Sequence, residues 1–323
     1  MKKKFLSSLI LLGLLMVGCG KEAEKKDDGA GKKLSIAVIS KGYQHEFWRA
    51  VELGAKQAGK DLNVDVSFIG PEKESEIGKQ VGMVENAINA KVSGIVLAAL
   101  DSNALTPVSK RAIEEKIPVV TFDSDLNDGV SSSFVATDNV AAGAQAASEM
   151  IKVIGEEGKV AIVAHNAGTT TALHREKGFR EEMAKHPKIE ILNTQFSDGD
   201  KSKALSITQD IVMANPDIKG VYGTNEGAAV GVARAIEEKG LQGKIAVIGF
   251  DSSEDEVRFI NNGVMNGMMV QNPYQMGYKA VQTIVKVIKG ETVDKRIDTG
   301  AKFISKDNIN DEDSQKLIYP VGK

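Results

Sequence analysis

The sequence predicts an α/β fold built as two doubly wound, parallel-sheet lobes joined by a multi-strand hinge. Three observations point there. From Leu34 onward, short apolar runs alternate with amphipathic stretches of 12 to 17 residues. A helix-turn-strand unit ending in Phe-Asp-Ser occurs twice, as "KRAIEEKIPVVTFDSD" (110–125) and "ARAIEEKGLQGKIAVIGFDSS" (233–253). A last long helix, "YQMGYKAVQTIVKVIKG", follows once the second unit has used its strands, so the chain is expected to cross back to the first.

The elements follow in order. Lys2, Lys3 and Lys4 precede "FLSSLILLGLLMV", an apolar run of 13 residues that is too short to span a bilayer. Residues 1–18 therefore read as a signal peptide. Small Gly18 precedes Cys19, which has the setting of a bacterial lipid-modification cysteine, with Met16 where that motif usually has leucine. Cys19 is the one cysteine of the chain, so it forms no internal disulfide. The polar "GKEAEKKDDGAGKK" behind it has the composition of a tether, giving a tether over 19–33. The expected product is anchored to a membrane without crossing it.

The apolar runs are "LSIAVIS", "VDVSFIG", "GIVLAAL", "IPVVTFD" and "SFVAT", then "KVAIVAH", "IEILNTQ", "IKGVYGT", "KIAVIGFD" and "NGMMVQ". Near-continuous apolar strands separated by helices mean parallel sheets covered on both faces. The recurring "RAIEEK" could be a common amphipathic surface, but the order of elements around it repeats as well. The lobes are expected at 34–137 with 272–297, and at 138–271 with 298–323. Composition is ordinary for a globular protein, with 42% apolar and 26% charged residues. A formal net charge of −3 without basic clusters makes nucleic acid a poor partner.

Ligands of open parallel sheets bind at the carboxyl ends of the strands. Those ends carry "KGYQHEFW" after "LSIAVIS", Asp123-Ser124 after "PVVTF", Asn225-Glu226 after "KGVYGT", Asp251-Ser252 after "AVIGF" and Gln271-Asn272 after "GMMV". Carboxylates accept from hydroxyls, amides donate and accept, and aromatic faces cover the C–H faces of a ring. The set suits a neutral polyhydroxylated ligand. Each member has a structural alternative: Asp123 or Asn225 could cap a helix, Trp48 could be core, and Asp101 reads as a cap. Asp251 is expected to be a solvated cleft carboxylate with little structural role. The four histidines show no metal-ligand spacing, and no nucleophile elbow or phosphate loop is present, so no cofactor, metal or catalysis is expected. "AHNAGTTTALHREKGF" could cradle a ligand or be an ordinary strand-helix loop. Asp123 and Asp251 could in principle be a hydrolytic acid–base pair.

From about 34 to 305 the chain resembles the bacterial periplasmic sugar-binding proteins of the ribose-binding type, the solute receptors of ABC importers. The segments that carry the resemblance are "FWRAVELGAKQAG", "IPVVTFDSD", "VATDNVAAG", "REKGFREEM", "GTNEGAAVGVARAI", "VIGFDSS" and "MMVQNPYQMGYKAV". LacI-type repressors share this fold but begin with a DNA-binding motif, where this chain has a leader and tether. The resemblance implies the type I periplasmic binding protein fold and a monomer that closes on a small neutral sugar or polyol and delivers it to permease subunits. Feeding a sensor kinase or chemoreceptor is the alternative.

The resemblance also implies site residues. Phe47 and Trp48 match an aromatic pair at the pocket mouth, and His45 stands where a polar side chain, often asparagine, meets the sugar. Asp123 matches an acidic contact. Asn225, Asp251 and Gln271 match contacts from the second lobe. Three positions depart: Ser124 and Leu173 stand where the ribose type has arginines, and Gly199 where it has phenylalanine. Arg175, two residues beyond Leu173, is expected to point elsewhere on its helix. The missing guanidiniums argue against an anionic ligand and suggest a roomier or less polar pocket.

Overall fold

The computed structural model describes residues 33–320. The expected signal peptide, Cys19 and the tether up to residue 32 lie outside the described residues. The first half of the chain runs β1 (Ser35–Ile39), α1 (Glu46–Asp61), β2 (Asp65–Ile69), α2 (Ile77–Asn89), β3 (Gly94–Leu97), α3 (Ser102–Glu114), β4 (Val119–Phe122) and β5 (Phe134–Ala136). It continues with α4 (Asn139–Ile154), β6 (Glu157–Ala164), α5 (Thr170–Met183), β7 (Lys188–Ile191), β8 (Gln195–Phe196), α6 (Lys201–Ala214) and β9 (Ile218–Gly223). Then come α7 (Glu226–Glu238), β10 (Ala246–Phe250), α8 (Glu254–Asn261), β11 (Gly267–Gln271) and α9 (Pro273–Ile288), and last β12 (Arg296–Asp298), β13 (Ala301–Ser305) and α10 (Glu312–Ile318).

Two sheets result, with strand orders β12-β5-β4-β3-β1-β2 and β13-β11-β10-β9-β6-β7, and β8 adds to β6. The orders correspond strand for strand, and the twice-used "RAIEEK" ends α3 in one and α7 in the other. Every pairing is parallel except β11 with β13. The exception follows from the connection. Only Thr299 and Gly300 separate β12 from β13, so the chain runs straight on from one sheet into the other. It then points away from the junction, against the neighbouring strands. Three segments join the lobes: β5 to α4, β11 to α9, and β12 to β13.

Each sheet is buried on both faces. In the first lobe α1 and α9 pack one face through Val51, Ala55, Met276, Ala280 and Ile284, while α2 and α3 cover the other through Val84, Leu105 and Val108. The second lobe repeats the plan with α4 and α5 on one side and α6 to α8 on the other. Burying each such aliphatic side chain is worth roughly 1.5–3 kcal/mol. Residues Pro273–Ile288 thus join the first lobe although they follow the second in sequence.

Two helix crossings are closer than side chains permit. A Cβ at Gly54 of α1 would lie 2.0 Å from the Tyr274 carbonyl oxygen, and one at Gly277 of α9 would lie 2.1 Å from that of Val51. In the second lobe Gly143 of α4 and Gly178 of α5 make the same reciprocal contact, at 2.2 Å and 2.0 Å from the Arg175 and Val140 carbonyl oxygens. Gly82 in α2, by contrast, faces open space. Gly277→Val should therefore cost about 1–3 kcal/mol or more through overpacking, while Gly82→Ala should add about 0.5–1 kcal/mol through helix propensity. Thermal melts of both variants check this; an unchanged midpoint for Gly277→Val would show that the crossing can relax.

Candidate functional site

The two Phe-Asp-Ser sequences end β4 and β10 in the same backbone geometry. Asp123 has φ 56° and Asp251 φ 80°, in the left-handed region that Asp tolerates better than most residues. Each Asp amide still reaches the next strand, Asp123 N–H to the Val135 carbonyl at 3.0 Å and Asp251 N–H to that of Met269 at 2.8 Å. The turn stops the strand and leaves the carboxylate at its carboxyl end. The two carboxylates line one small chamber between the lobes.

The chamber has walls from both lobes. Lys41, His45, Phe47, Trp48 and Glu74 stand with Asp123 on the first. His165, Arg175, Asn225 and Gln271 stand with Asp251 on the second. Its volume is about 10 Å³, room for roughly one water. Phe47, Asp251 and Gln271 also border a groove of about 800 Å³ at the cleft edge. The lobes touch across the chamber: Ser102 N–H donates to the Gly168 carbonyl at 3.1 Å, Asp125 N–H to Thr170 Oγ1 at 2.9 Å and Gln44 Nε2 to the Gly199 carbonyl at 3.2 Å. A ring-sized ligand enters such a chamber only when the lobes part.

The residues singled out from sequence fall as follows. Asp123 accepts from Ser124 Oγ at 3.1 Å and pairs with Lys41 Nζ at 2.8 Å. Asn225 caps α7, accepting from Ala228 N–H at 2.9 Å, and it also borders the chamber. Asp101 caps α3. Asp251 is not solvated, contrary to expectation. It is 6% exposed, with one oxygen accepting from Glu226 N–H at 3.0 Å and the other from Gln271 Nε2 at 2.7 Å. Burial raises its pKa against the pull of Arg175. Trp48 is fully packed, edge-on to Phe47 and Phe122, and donates Nε1–H to Glu74 Oε1 at 2.8 Å. It is core on one side and chamber wall on the other.

Residues 36–292 match the family described as periplasmic binding protein domain. The chain belongs to that family. The D-allose-binding periplasmic protein of Escherichia coli is 32% identical over 266 residues, covering 80% of this chain and 85% of that one. The ribose import binding protein of the same organism is 29% identical over 306 residues, covering 95% and 100%. An ABC transporter solute-binding protein from Agrobacterium vitis, solved with bound D-fucose, superposes with a TM-score of 0.86 at 41% identity, covering 88% of this chain and all of that one. This periplasmic binding protein is thus of the ribose-binding, sugar-binding type.

Its chamber differs from the sequence expectation on helix α5. Leu173 is 48% exposed and does not line the chamber. Arg175, expected to point elsewhere, is 2% exposed and points in. Its Nε donates to Asn139 Oδ1 at 2.8 Å, Nη1 donates to the Thr224 carbonyl at 2.7 Å, and its guanidinium stacks 3.6 Å over the Phe250 ring. Nη2 is buried and has no hydrogen-bond partner among the described residues. The reason is helical phase. Thr171, Arg175, Gly178 and Phe179 are spaced three and four apart on the buried face of α5, of which Arg175 and Gly178 meet α4, and Leu173 is on the other side. The chamber therefore holds a guanidinium after all, and a second cation comes from Lys41. Ser124 removes a cation beside Asp123, and the β1–α1 loop supplies one.

Sequence reasoning placed Glu226 at the end of β9 without giving it a role, and passed over Glu74 and His165 as site residues. Those two lie at or just beyond the carboxyl ends of β2 and β6. Reading every strand end, rather than five, would have found them. His165 is wholly buried, bonded through its two ring nitrogens to Thr224 Oγ1 at 2.9 Å and Thr171 Oγ1 at 2.8 Å. Burial, then Lys41 and Arg175, hold its pKa well below the ordinary value, so it is neutral.

Glu226 reaches across the cleft. Its Oε2 accepts the Glu46 amide at 2.8 Å, the first amide of α1, whose cap residue His45 offers no side-chain bond. Its Oε1 lies 3.1 Å from Lys201 Nζ and 3.5 Å from His45 Nδ1. Burial works against a charged His45, but Glu226, Glu74 and Asp251 outweigh it and raise the pKa. Burial likewise opposes a charged Glu226, but His45 and Lys201 outweigh it and lower the pKa. A raised His45 favours the closed state fully below its ordinary value of about 6.5, and that support is lost as pH rises through the raised value. A lowered Glu226 favours closure above about 4.3, and its support is lost as pH falls through the lowered value. Ligand affinity should therefore be greatest between about pH 4.3 and 6.5 and weaken above it. His45→Asn should flatten the alkaline limb, as titration calorimetry across pH would show.

Proposed function

We propose that this periplasmic binding protein captures a neutral sugar or polyol between its lobes by hinge closure and hands it to the permease of an ABC importer. The observation that carries the reading is the pair of matched walls. Asp123 and Asp251 end equivalent strands of the two lobes and approach one chamber from opposite sides. Around them stand further hydrogen-bonding groups with capacity to spare, notably Arg175 Nη2 and Gln271 Oε1. Phe47 and Trp48 give apolar faces for the C–H side of a ring. The relatives with sugars in their names or bound in their structures support the same reading. The protein acts as a monomer, exported and held by lipid on Cys19, with residues 19–33 as tether.

Mass spectrometry of ligand released from purified, denatured protein names the solute; recovery of no sugar or polyol from protein loaded with cell extract would count against the reading. Asp251→Ala should weaken binding about 10- to 150-fold, since charge-assisted bonds are worth roughly 1.5–3 kcal/mol. It should also cost about 1–3 kcal/mol of stability, because Glu226 N–H and Gln271 lose a buried acceptor. Asp251→Asn should lose less of both. Calorimetry beside thermal melts separates the two effects. Cys19→Ser should leave folding intact and move the protein from the membrane fraction to the soluble exported fraction; equal membrane retention would refute the anchor.

A further inference from the structure

Glu74 sits on the connection between β2 and α2 and is 2% exposed. One carboxylate oxygen, Oε1, is fixed by Trp48 Nε1–H at 2.8 Å. The other, Oε2, is buried and accepts no hydrogen bond from any described residue. The Glu74 backbone carbonyl is held by Asn166 Nδ2 at 3.3 Å, so the residue is steadied from the second lobe when the cleft is closed. His45 Nε2 lies 3.9 Å from Oε1, near enough to offset charge, but its close polar contact is to Gln44 Nε2 at 3.1 Å.

Opposite Oε2 stands Gly199, at φ 70°. A Cβ there would come within 3.2 Å of Glu74 Oε2 and 3.3 Å of His45 Nε2. Both the left-handed backbone and the crowding keep a side chain off this position. No neighbour in the second lobe can therefore supply the missing donor from Gly199. A buried acceptor without a donor is costly. Anchoring Trp48 needs one neutral oxygen, which a glutamine would provide without a buried charge. The charged, half-satisfied carboxylate makes sense when a donor arrives with the ligand.

We propose that Glu74 reads the hydroxyl pattern of the sugar: Oε1 is tied to Trp48, and Oε2 accepts one hydroxyl of the bound ring. This rests on the sugar-binding reading and assigns it a specificity residue on the first lobe, beside Gly199. Glu74→Gln can keep an oxygen on Trp48, and it then turns an amide donor toward the ligand. Donor would face donor, and that hydroxyl would lose its acceptor.

The test uses calorimetry of the mature protein with D-fucose, D-galactose, D-allose and D-ribose, then with the monodeoxy analogues of the tightest binder. Glu74→Gln should weaken that binder about 10- to 100-fold. One monodeoxy analogue, lacking the hydroxyl that Glu74 accepts, should bind wild type more weakly and lose little further in the variant. Trp48→Phe keeps the ring and removes the Nε1–H; its loss should be spread evenly over the analogues. A purely structural Glu74 would give the same even pattern in Glu74→Gln, and that result overturns the proposal. Unchanged affinity in Glu74→Gln overturns it too. Failure of wild type to bind any of the sugars would sink the proposal together with the sugar reading, and is distinguished by arising before any substitution is made. Should Glu74→Gln melt early, Glu74→Asp, which keeps the charge and withdraws it, must show the same dependence on one hydroxyl.

Discussion

A carboxylate taken out of water must be met by donors; three line one chamber here, Glu74, Asp123 and Asp251, and a fourth, Glu226, is buried beside His45. Asp123 is met by Lys41 and Ser124, Asp251 by Gln271 and the Glu226 amide, and Glu74 by Trp48. These partners belong to the same lobe as the carboxylate they serve. Each half of the site is therefore set by its own lobe and survives opening. Preformed polar groups lose little freedom when a ligand arrives, which is what makes their hydrogen bonds useful for binding. Glu226 is different, because its Glu46 and His45 contacts lie on the other lobe and are made only on closure.

The chain arrives at this arrangement by using one local solution twice. A buried parallel strand ends in phenylalanine, and the next residue turns left-handed while its amide stays bonded to the neighbouring strand. Aspartate tolerates that backbone and carries the charge the site needs. The phenylalanine ring stays in the core beneath: Phe122 against Trp48, Phe250 under Arg175. Packing beneath the turn and chemistry above it are thus fixed by consecutive residues. The glycine-paired crossings of α1 with α9 and α4 with α5 repeat in the same way and set how closely each helix pair lies on its sheet.

Strands β1 to β7 and β9 to β11, the helices between them and the two-sheet plan were legible, because continuous apolar runs and amphipathic stretches are local signals; the short β8, β12 and α10 were not. The antiparallel β13 was not, since its direction depends on which side of the junction the chain has reached. In the site, Asp123 and Asp251 were visible because strand ends are where ligands bind. Arg175 was misjudged because the resemblance located Leu173 in an arginine column without fixing which face of α5 is buried. The buried face through Thr171, Arg175 and Gly178 gives the phase directly. Lys41 and Glu74 were overlooked for another reason: a long charged side chain in a loop reads as solvated unless a buried partner of opposite charge or a buried indole N–H is known to await it.

The charges around the chamber also bear on what it can hold. Lys41 is matched to Asp123, and Arg175 lies near enough to Asp251 to oppose the rise that burial gives its pKa. His165 is kept neutral. An anionic ligand would add a further buried negative charge beside Glu74, Asp123 and Asp251, and would compete with Asp123 for Lys41. A cationic ligand would meet Lys41 and Arg175 at close range. A neutral ligand leaves the Lys41–Asp123 pair undisturbed. It can donate to the oxygens that already have one partner and accept from Arg175 Nη2, which has none among the described residues. Closure is then favoured only by contacts that exist when both walls touch the same molecule. Hydroxyls, which donate and accept at once, are the groups that can satisfy acceptors on one lobe and a donor on the other.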